Sequence, residues 1–320
     1  MKMPKLFLLF VSTICIAASV PASDYPTAPV KLIVPYTQGS ATDVLARLVG
    51  GKLSELWGQP VLIENIPGAG GSKGTAEVAN SATDGYTLLV HSSSFAVNQA
   101  TYAKPPYSSS EFFPVAPLAS QPFTLVANPS LGVKSTAALI AAAKARPGQM
   151  KFASAGTGTS THLIAERFKA EAGIDVGHIA FKGGPGANAA TASGKADFWF
   201  PPTAIAIKGI KAGKLIPLGV SGTHRSGLLP DVPTIAEAAL HGFEAKVWWG
   251  LWAPVGIPAD VKEKLVKDVA QVLAANDLQA QFGQRGFEPM HMGPAEFTQL
   301  IQSEVESSAR TLKAAGIKPR

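Results

Sequence analysis

Two polar turns in the sequence lie where a predicted strand passes into a predicted helix, and such turns can bind an anion. Residues 36–40 separate a buried strand at 31–35 from a helix at 41–56, and a Gly/Thr/Ser turn separates a strand at 151–154 from a helix at 163–172. The first backbone N–H groups of a helix lack partners within the helix and carry a partial positive charge. Two such starts that face each other would suit a carboxylate, although ordinary strand-to-helix loops explain their position equally well.

Three serines, Ser92-Ser93-Ser94, follow another predicted strand and suggest a second function, a secreted serine hydrolase. Its nucleophile would be Ser92 or Ser93, with His91 or His162 as the base. The serines lack the flanking glycines of a nucleophile elbow, and no acid partner follows in order. We therefore keep the hydrolase as the alternative.

Signatures of metal and nucleotide sites are incomplete. The six histidines include no i, i+4 pair. The glycine-rich run at 68–74 has Lys73 in the place of the third glycine of a dinucleotide loop. We expect neither a metal nor another cofactor.

Composition and charge exclude several classes of protein. The chain has 320 residues, of which 46% are hydrophobic and 16% charged, which excludes disorder and coiled coil. The net charge is +6, but lysine and arginine are scattered, without aromatic interleaving. This pattern argues against nucleic acid as a partner.

The N-terminus resembles a secretory signal. Residues 1–22 combine Lys2 and Lys5 with an apolar run at 6–20 and a small-residue exit, and the run is too short to span a membrane. We therefore predict a signal peptide at 1–22 and export to the periplasm. The single cysteine, Cys15, would leave with it.

Short β-rich runs alternate with helical patterns through the rest of the chain, which predicts an α/β fold with mostly parallel sheets. The strand, polar turn and helix at 31–56 recur in kind at 151–172, which indicates two units. Further strands are predicted at 61–64, 86–90, 177–181, 197–200, 216–220 and 245–253, and further helices at 139–145, 261–273 and 297–312. Trp248, Trp249 and Trp252 are expected in core or hinge packing rather than at a ligand.

The sequence resembles the substrate-binding receptors of tripartite tricarboxylate transporters, also called TctC-type or Bug proteins, from Tyr25 to Lys318. The motifs that carry the resemblance are Thr42-Asp43-Val44-Leu45-Ala46-Arg47, Pro67-Gly68-Ala69-Gly70-Gly71, Asp84-Gly85-Tyr86, Ser154-Ala155-Gly156-Thr157-Gly158-Thr159-Ser160-Thr161-His162, Leu229-Pro230-Asp231-Val232-Pro233-Thr234 and Trp249-Gly250-Leu251-Trp252-Ala253-Pro254.

The resemblance implies a type II-like periplasmic binding fold of two domains with the ligand cleft between them. Domain 1 would comprise residues 23–124 plus 244–320, and domain 2 residues 125–243. The receptor would be a monomer, and it would not be an enzyme. It would bind a small carboxylate and pass it to a large and a small integral membrane subunit. A binding protein that serves a signalling partner would have the same chemistry.

The resemblance also implies a set of ligand-binding residues on two loops, which hold the carboxylate through backbone amides, hydroxyls and water rather than through arginine. The predicted residues are Tyr36, Gly39, Ser40, Ala41, Thr42, Ser92, Ser93, Ser154, Gly156, Thr157, Ser160, Thr161, Asp197 and Phe198. Asp43 and His162 are predicted to be structural.

The sequence departs from the family's usual first loop. Residues 35–40 read Pro-Tyr-Thr-Gln-Gly-Ser, which adds hydroxyl and amide donors, and Phe198-Trp199-Phe200 is an unusual aromatic run. Extra donors and an aromatic wall suggest a carboxylate with a ring or a long apolar body, and terephthalate-like, protocatechuate-like or nicotinate-like acids fit as well as citrate or malate.

Overall fold

The computed structural model describes residues 24–319, so the predicted signal peptide at 1–22 and Cys15 lie outside the described residues. The described chain is an α/β protein with two β-sheets flanked by helices, as predicted. The strands are β1 Val30–Val34, β2 Val61–Asn65, β3 Thr87–Ser92, β4 Phe112–Pro122, β5 Thr124–Ala127, β6 Lys151–Ser154, β7 Gly177–Ala180, β8 Phe198–Trp199, β9 Ile216–Val220, β10 Lys246–Pro254 and β11 Glu288–Pro289. The helices are α1 Ala41–Trp57, α2 Ser72–Ala79, α3 Ser94–Thr101, α4 Thr136–Ala145, α5 Ser160–Ala172, α6 Gly184–Ala192, α7 Thr203–Lys211, α8 Ile235–Ala238, α9 Ala259–Leu273, α10 Asn276–Gly283 and α11 Pro294–Ala314.

The first sheet has six strands in the order β11-β4-β10-β3-β1-β2. β1 is parallel to β2 and β3, whereas β10 is antiparallel to β3 and β4. The run Val30–Val34 is buried at every position except Lys31, as expected for a strand with neighbours on both sides. α1 follows it and ends at Gly58, whose φ of 64° suits a residue without a Cβ atom.

The second sheet has five strands in the order β7-β6-β8-β5-β9. β6 is parallel to β7 and β8, and β5 is antiparallel to β8 and β9. Alternate residues of these strands pack on opposite faces. α4 and α5 cover the face that bears Phe152 and Phe198, and α6 and α7 cover the face that bears Ala153 and Trp199.

Both sheets are mixed, with four strands of each in one direction and the remaining strands, β10 and β11 of the first sheet and β5 of the second, in the opposite direction. The reason is that the chain crosses between the sheets twice. β4 leads directly into β5 of the second sheet, and β10 returns to the first sheet between β3 and β4, antiparallel to both. The predicted domain boundaries near residues 124 and 243 stay a prediction.

One large hydrophobic cluster joins the interiors of the two sheets. It contains Leu32 and Trp249 from the first sheet and Leu125 and Phe152 from the second. A separate cluster under α11 contains Trp248 and Trp252 with Phe95 and Phe297. The core packing expected for the tryptophans is therefore found for Trp248 and Trp252.

Two classes of feature are not found among residues 24–319. No helix there is long and apolar enough to cross a membrane. Nor do those residues bring three or more histidine, cysteine or acidic side chains into a group that could hold a metal ion.

Candidate functional site

A cavity of about 40 Å³ lies between the two sheets, at the edge where their strands lead into helices. Half of its sixteen lining residues carry a hydroxyl group. These are Tyr36, Ser40, Thr42, Ser92, Ser94, Thr159, Ser160 and Thr161. The other eight are Ala41, Ala155, Gly184, Trp199, Pro202, Ile205, Val247 and Trp249.

The starts of α1 and α5 border this cavity. Ser40 caps α1 by accepting a hydrogen bond from the backbone N–H of Asp43 at 3.2 Å. Thr159 caps α5 in the same way, with the N–H of His162 as donor at 3.4 Å. The residues that follow each cap line the cavity, so two positively polarised helix starts meet at one site.

We call the part of the chain built on the first sheet the first unit and the part built on the second sheet the second unit. Hydroxyl groups of the two units are hydrogen-bonded to one another across the cleft. Ser92 Oγ lies 3.3 Å from Tyr36 Oη and donates to Ser94 Oγ at 3.0 Å. Ser94 Oγ in turn accepts the N–H of Ser160, the first residue of α5, at 2.8 Å. Burial raises the pKa of Tyr36 to about 12, so its hydroxyl stays protonated and can donate.

One side of the cavity is apolar, and no lining residue is charged. Trp199, Pro202 and Ile205 come from the second unit, and Val247 and Trp249 come from β10. The indole N–H of Trp249 donates to Thr42 Oγ1 at 3.0 Å, which holds this ring beside the start of α1. The site thus offers neutral donors on one side and an apolar wall on the other.

Asp43 supports the first loop from behind. Its carboxylate accepts the N–H of Gly39 at 2.9 Å and hydrogen bonds from Arg47 and Asn65. Burial opposes ionisation, but these hydrogen bonds outweigh it and lower the pKa of Asp43. The carboxylate therefore stays charged and fixes the loop, which agrees with its predicted structural role.

The two units lie close together at two glycines. A Cβ atom on Gly70 would lie 2.6 Å from the carbonyl oxygen of Thr157, and one on Gly183 would lie 2.6 Å from Thr37 Oγ1. A groove of about 240 Å³ opens beside the first of these contacts and shares Tyr36 with the cavity. The cleft is therefore closed in this structure, and the absence of a Cβ atom at Gly70 and Gly183 permits the contact between the two units.

The model of the tripartite tricarboxylate transporter family receptor, TctC, matches residues 45–317. The chain belongs to this family. It is 34% identical to protein BugT of Bordetella pertussis over 97% of this chain and 96% of that protein. The solved structure of R. palustris Rpa4515 with adipate has a TM-score of 0.90 at 31% identity and covers 93% of this chain and 100% of that chain. MatC of Rhodopseudomonas palustris with bound malate has a TM-score of 0.85 at 28% identity and covers 90% and 100%.

The receptor brings seven of the predicted ligand-binding residues to the cavity. They are Tyr36, Ser40, Ala41, Thr42, Ser92, Ser160 and Thr161. Gly156 and Thr157 line the adjoining groove instead, and the N–H of Gly39 is taken by Asp43.

Four predicted residues have side chains elsewhere. Ser93 lines a separate depression beside α11, and Phe198 is fully buried in the core. Ser154 Oγ pairs with His178 Nε2 at 2.6 Å. The carboxylate of Asp197 accepts the N–H of Lys151 at 2.7 Å, at the end of the second sheet remote from the cavity.

Several lining residues were not predicted, and some of them left a signal in the sequence. Thr159 precedes a helix as an N-cap residue does. Val247 and Trp249 share a face of one strand by alternation, and Trp199 lies on the opposite face to Phe198 by the same rule. No comparable pattern in the sequence indicated Ile205.

The receptor is a binding protein rather than an enzyme, since its family consists of substrate-binding receptors. The contacts of Ser92 agree with this conclusion. Ser92 Oγ bonds Tyr36 and Ser94, and His91 contacts Ser92 only through the backbone carbonyl, at 2.9 Å from Nδ1. The pair therefore lacks the hydroxyl-to-imidazole hydrogen bond of a serine hydrolase.

His91 makes the stability of the receptor dependent on pH. Burial lowers the pKa of His91 to about 3, whereas an unfolded histidine has a pKa near 6.5. Below pH 6.5 the unfolded chain binds a proton that the folded chain does not, so stability falls as the pH falls. Between pH 7 and pH 5 we expect a loss of roughly 2 kcal/mol from this residue, measured by urea unfolding.

His91→Gln should reduce that loss by a similar amount. His241→Gln, at an exposed position, is the matched control and should leave the loss unchanged. Equal pH dependence in wild type and His91→Gln would contradict the assignment.

Proposed function

We propose that the receptor binds a small carboxylate between the starts of α1 and α5 and delivers it to a tripartite tricarboxylate transporter. The observation that carries this proposal is a cavity with two helix starts and eight hydroxyl groups but no charged lining residue. Each hydrogen bond to a carboxylate contributes about 1.5–3 kcal/mol. Three or four of them can offset the costs of association and leave micromolar affinity, about −8 kcal/mol.

The ligand contacts that we propose come from residues of both units. Ser40, Ala41 and Thr42 would contribute from the first unit, and Ser160 and Thr161 from the second. A ligand held by both sides favours the closed form over the open one, which is how binding would drive closure. The adipate and malate bound by the related solved proteins support a carboxylate as the ligand.

We further propose that the body of the ligand is an aromatic ring or a long alkyl chain. Trp199, Ile205 and Trp249 would contact that body, because a polar group in the middle of the ligand would lose water against their apolar surfaces. Terephthalate-like acids remain candidates, together with medium-length aliphatic acids.

Delivery to a transporter rests on the family. The family model describes receptors of tripartite tricarboxylate transporters, and BugD is a periplasmic binding protein of similar structure. We propose that residues 1–22 direct the chain to the periplasm, where it would meet the large and small membrane subunits.

A panel of acids tests the binding proposal. Ligand-stripped receptor should gain several degrees in thermal midpoint with at least one acid among benzoate, terephthalate, adipate, malate and citrate, since a ligand that binds only the folded state stabilises it. No shift with any of them, or with a wider set of aliphatic and aromatic acids, would contradict the proposal.

Two variants locate the binding site. Ser40→Trp would fill the cavity and should abolish the shift. Ser135→Trp is the matched control, because Ser135 caps α4 through the same kind of hydrogen bond but lies outside the cavity. If both variants bound equally well, the ligand would lie elsewhere.

A further inference from the structure

Positive charge is concentrated in the unit built on the second sheet. Residues 125–243 contain 12 lysine and arginine residues against 6 aspartate and glutamate residues. The remaining residues of 24–320 contain 14 basic and 16 acidic residues. Charge that looks scattered along the sequence is thus divided unequally between the two units, and the second unit has a net charge of +6.

Much of this charge lies at one end of the second sheet, which we call the basic end. β6, β7, β8 and β9 all begin there, because β6 is parallel to β7 and β8, and β5 is antiparallel to β8 and β9. α4 ends shortly before β6, and α7 ends shortly before β9. The basic end consists of Lys144, Arg146, Lys151, Lys208, Lys211 and Lys214, all exposed. The cavity lies at the opposite end, where β6 and β8 finish.

These side chains are not neutralised by the protein. None of the six forms an ion pair within residues 24–319. The acidic residues that the topology places at the same end include Glu171, Asp175 and Asp197, of which Glu171 pairs with Arg167 and Asp197 accepts a backbone N–H. Helix dipoles stabilise Lys208 and Lys211 at the end of α7, but they do not act on Lys151 and Lys214, which lie outside helices.

The chemistry of the basic end fits a diffuse anionic surface better than a protein partner. Five of its six residues are lysine, which is depleted at protein interfaces, whereas arginine and aromatic residues are enriched there. Moreover, the large exposed hydrophobic side chains of the described chain, Leu56, Leu62, Val255 and Met292, all lie outside residues 125–243. The basic end therefore lacks the apolar anchors of a protein-binding surface.

We propose that the basic end binds the surface of a bilayer that contains anionic phospholipids. Each lysine near such a surface strengthens binding about fivefold at low salt, so several together give measurable but reversible attachment. The receptor would lie with its second unit toward the membrane, whichever carboxylate it carries.

Vesicle sedimentation tests this proposal. Purified receptor from which residues 1–22 have been removed should sediment with vesicles of phosphatidylglycerol and phosphatidylethanolamine at about 20 mM salt, and much less at about 150 mM, where screening is stronger. It should not sediment with vesicles of phosphatidylcholine alone. The triple variant Lys208→Gln, Lys211→Gln, Lys214→Gln should partition on the order of a hundredfold more weakly.

A matched triple variant separates location from net charge. Lys104→Gln, Lys267→Gln and Lys313→Gln remove the same charge from exposed positions of the other unit and should change partitioning by less than about threefold. Equal weakening by both triple variants would overturn the proposal. So would failure of the wild type to bind anionic vesicles at low salt, or binding to polyglutamate but not to vesicles. The carboxylate-induced thermal shift should be the same in both variants, so failure here is distinct from failure of the proposed function.

Discussion

Replacement of Gly70 by alanine is expected to weaken carboxylate binding at least tenfold while the protein remains folded. The new Cβ atom would lie 2.6 Å from the carbonyl oxygen of Thr157 in the opposite unit. That oxygen belongs to the backbone and cannot rotate away, so the clash acts on the closed cleft and can be relieved by opening it. Calorimetric titration with the acid that gives the largest thermal shift measures the effect.

Gly58→Ala is the control for Gly70→Ala. Gly58 and Gly70 have nearly the same φ, 64° and 67°, so an alanine suffers the same backbone strain at either position. A Cβ atom on Gly58 would have no neighbour within 4 Å. Gly58→Ala should therefore lower the unfolding free energy by about 1 kcal/mol without changing affinity. Similar affinities for both variants would show that the Gly70 contact does not control closure.

The second large effect concerns stability. An alanine at Gly250 should destabilise the receptor by about 3 kcal/mol, because its Cβ atom would overlap the ring of Phe297 and lie 3.0 Å from Trp252 Cη2. Gly250 lies in β10, where α11 packs on the first sheet, and Phe297 is fully buried. Urea unfolding would measure the change in free energy.

Gly51→Ala provides the opposite case. Gly51 is an exposed residue within α1, and a Cβ atom there would meet nothing within 4 Å. This substitution should stabilise the receptor by roughly 0.5–1 kcal/mol, since alanine favours a helix.

A second variant tests the contact between Gly250 and Phe297. The double variant Gly250→Ala, Phe297→Leu should recover part of the stability that Gly250→Ala alone loses. If Gly250→Ala cost less than about 0.5 kcal/mol, the packing of α11 would have to be looser than described.

The sequence predicted the strands that have regular patterns and missed three others, β4, β5 and β11, of which β4 is the longest. β1, β3 and β6 are apolar runs followed by polar turns, and all three were predicted. β4 contains three prolines, which usually argue against a central strand. Its register against β10 shifts at two places, and such bulges accommodate residues that cannot join the ladder. Without β4, the antiparallel half of the first sheet could not be foreseen.

For the candidate site, the sequence predicted the loops better than the individual side chains. The start of α1 at Ala41 follows from the strand, turn and helix pattern, whereas α5 begins at Ser160, three residues before the predicted start at 163, and both starts border the cavity. The direction of Ser154, by contrast, depends on His178, which belongs to the next strand. Among the three neighbouring tryptophans, alternation separates Trp249 from its neighbour Trp248, but only the packing of α11 decides which face is covered. Such contacts between distant segments leave no local pattern.

The absence of charged side chains from the cavity lining has a consequence for how the receptor gives up its ligand. A receptor that used a buried arginine would leave a bare guanidinium behind on release and could not close again without a cost of several kcal/mol. The hydroxyl groups of Tyr36, Ser92 and Ser94 hydrogen-bond one another, so they need no ligand to satisfy them. The unloaded receptor can then also close, although less readily than the loaded one, in which the ligand contacts both units. A membrane partner that tested only for the closed shape would therefore accept some unloaded receptor, and would have to test for the cargo itself.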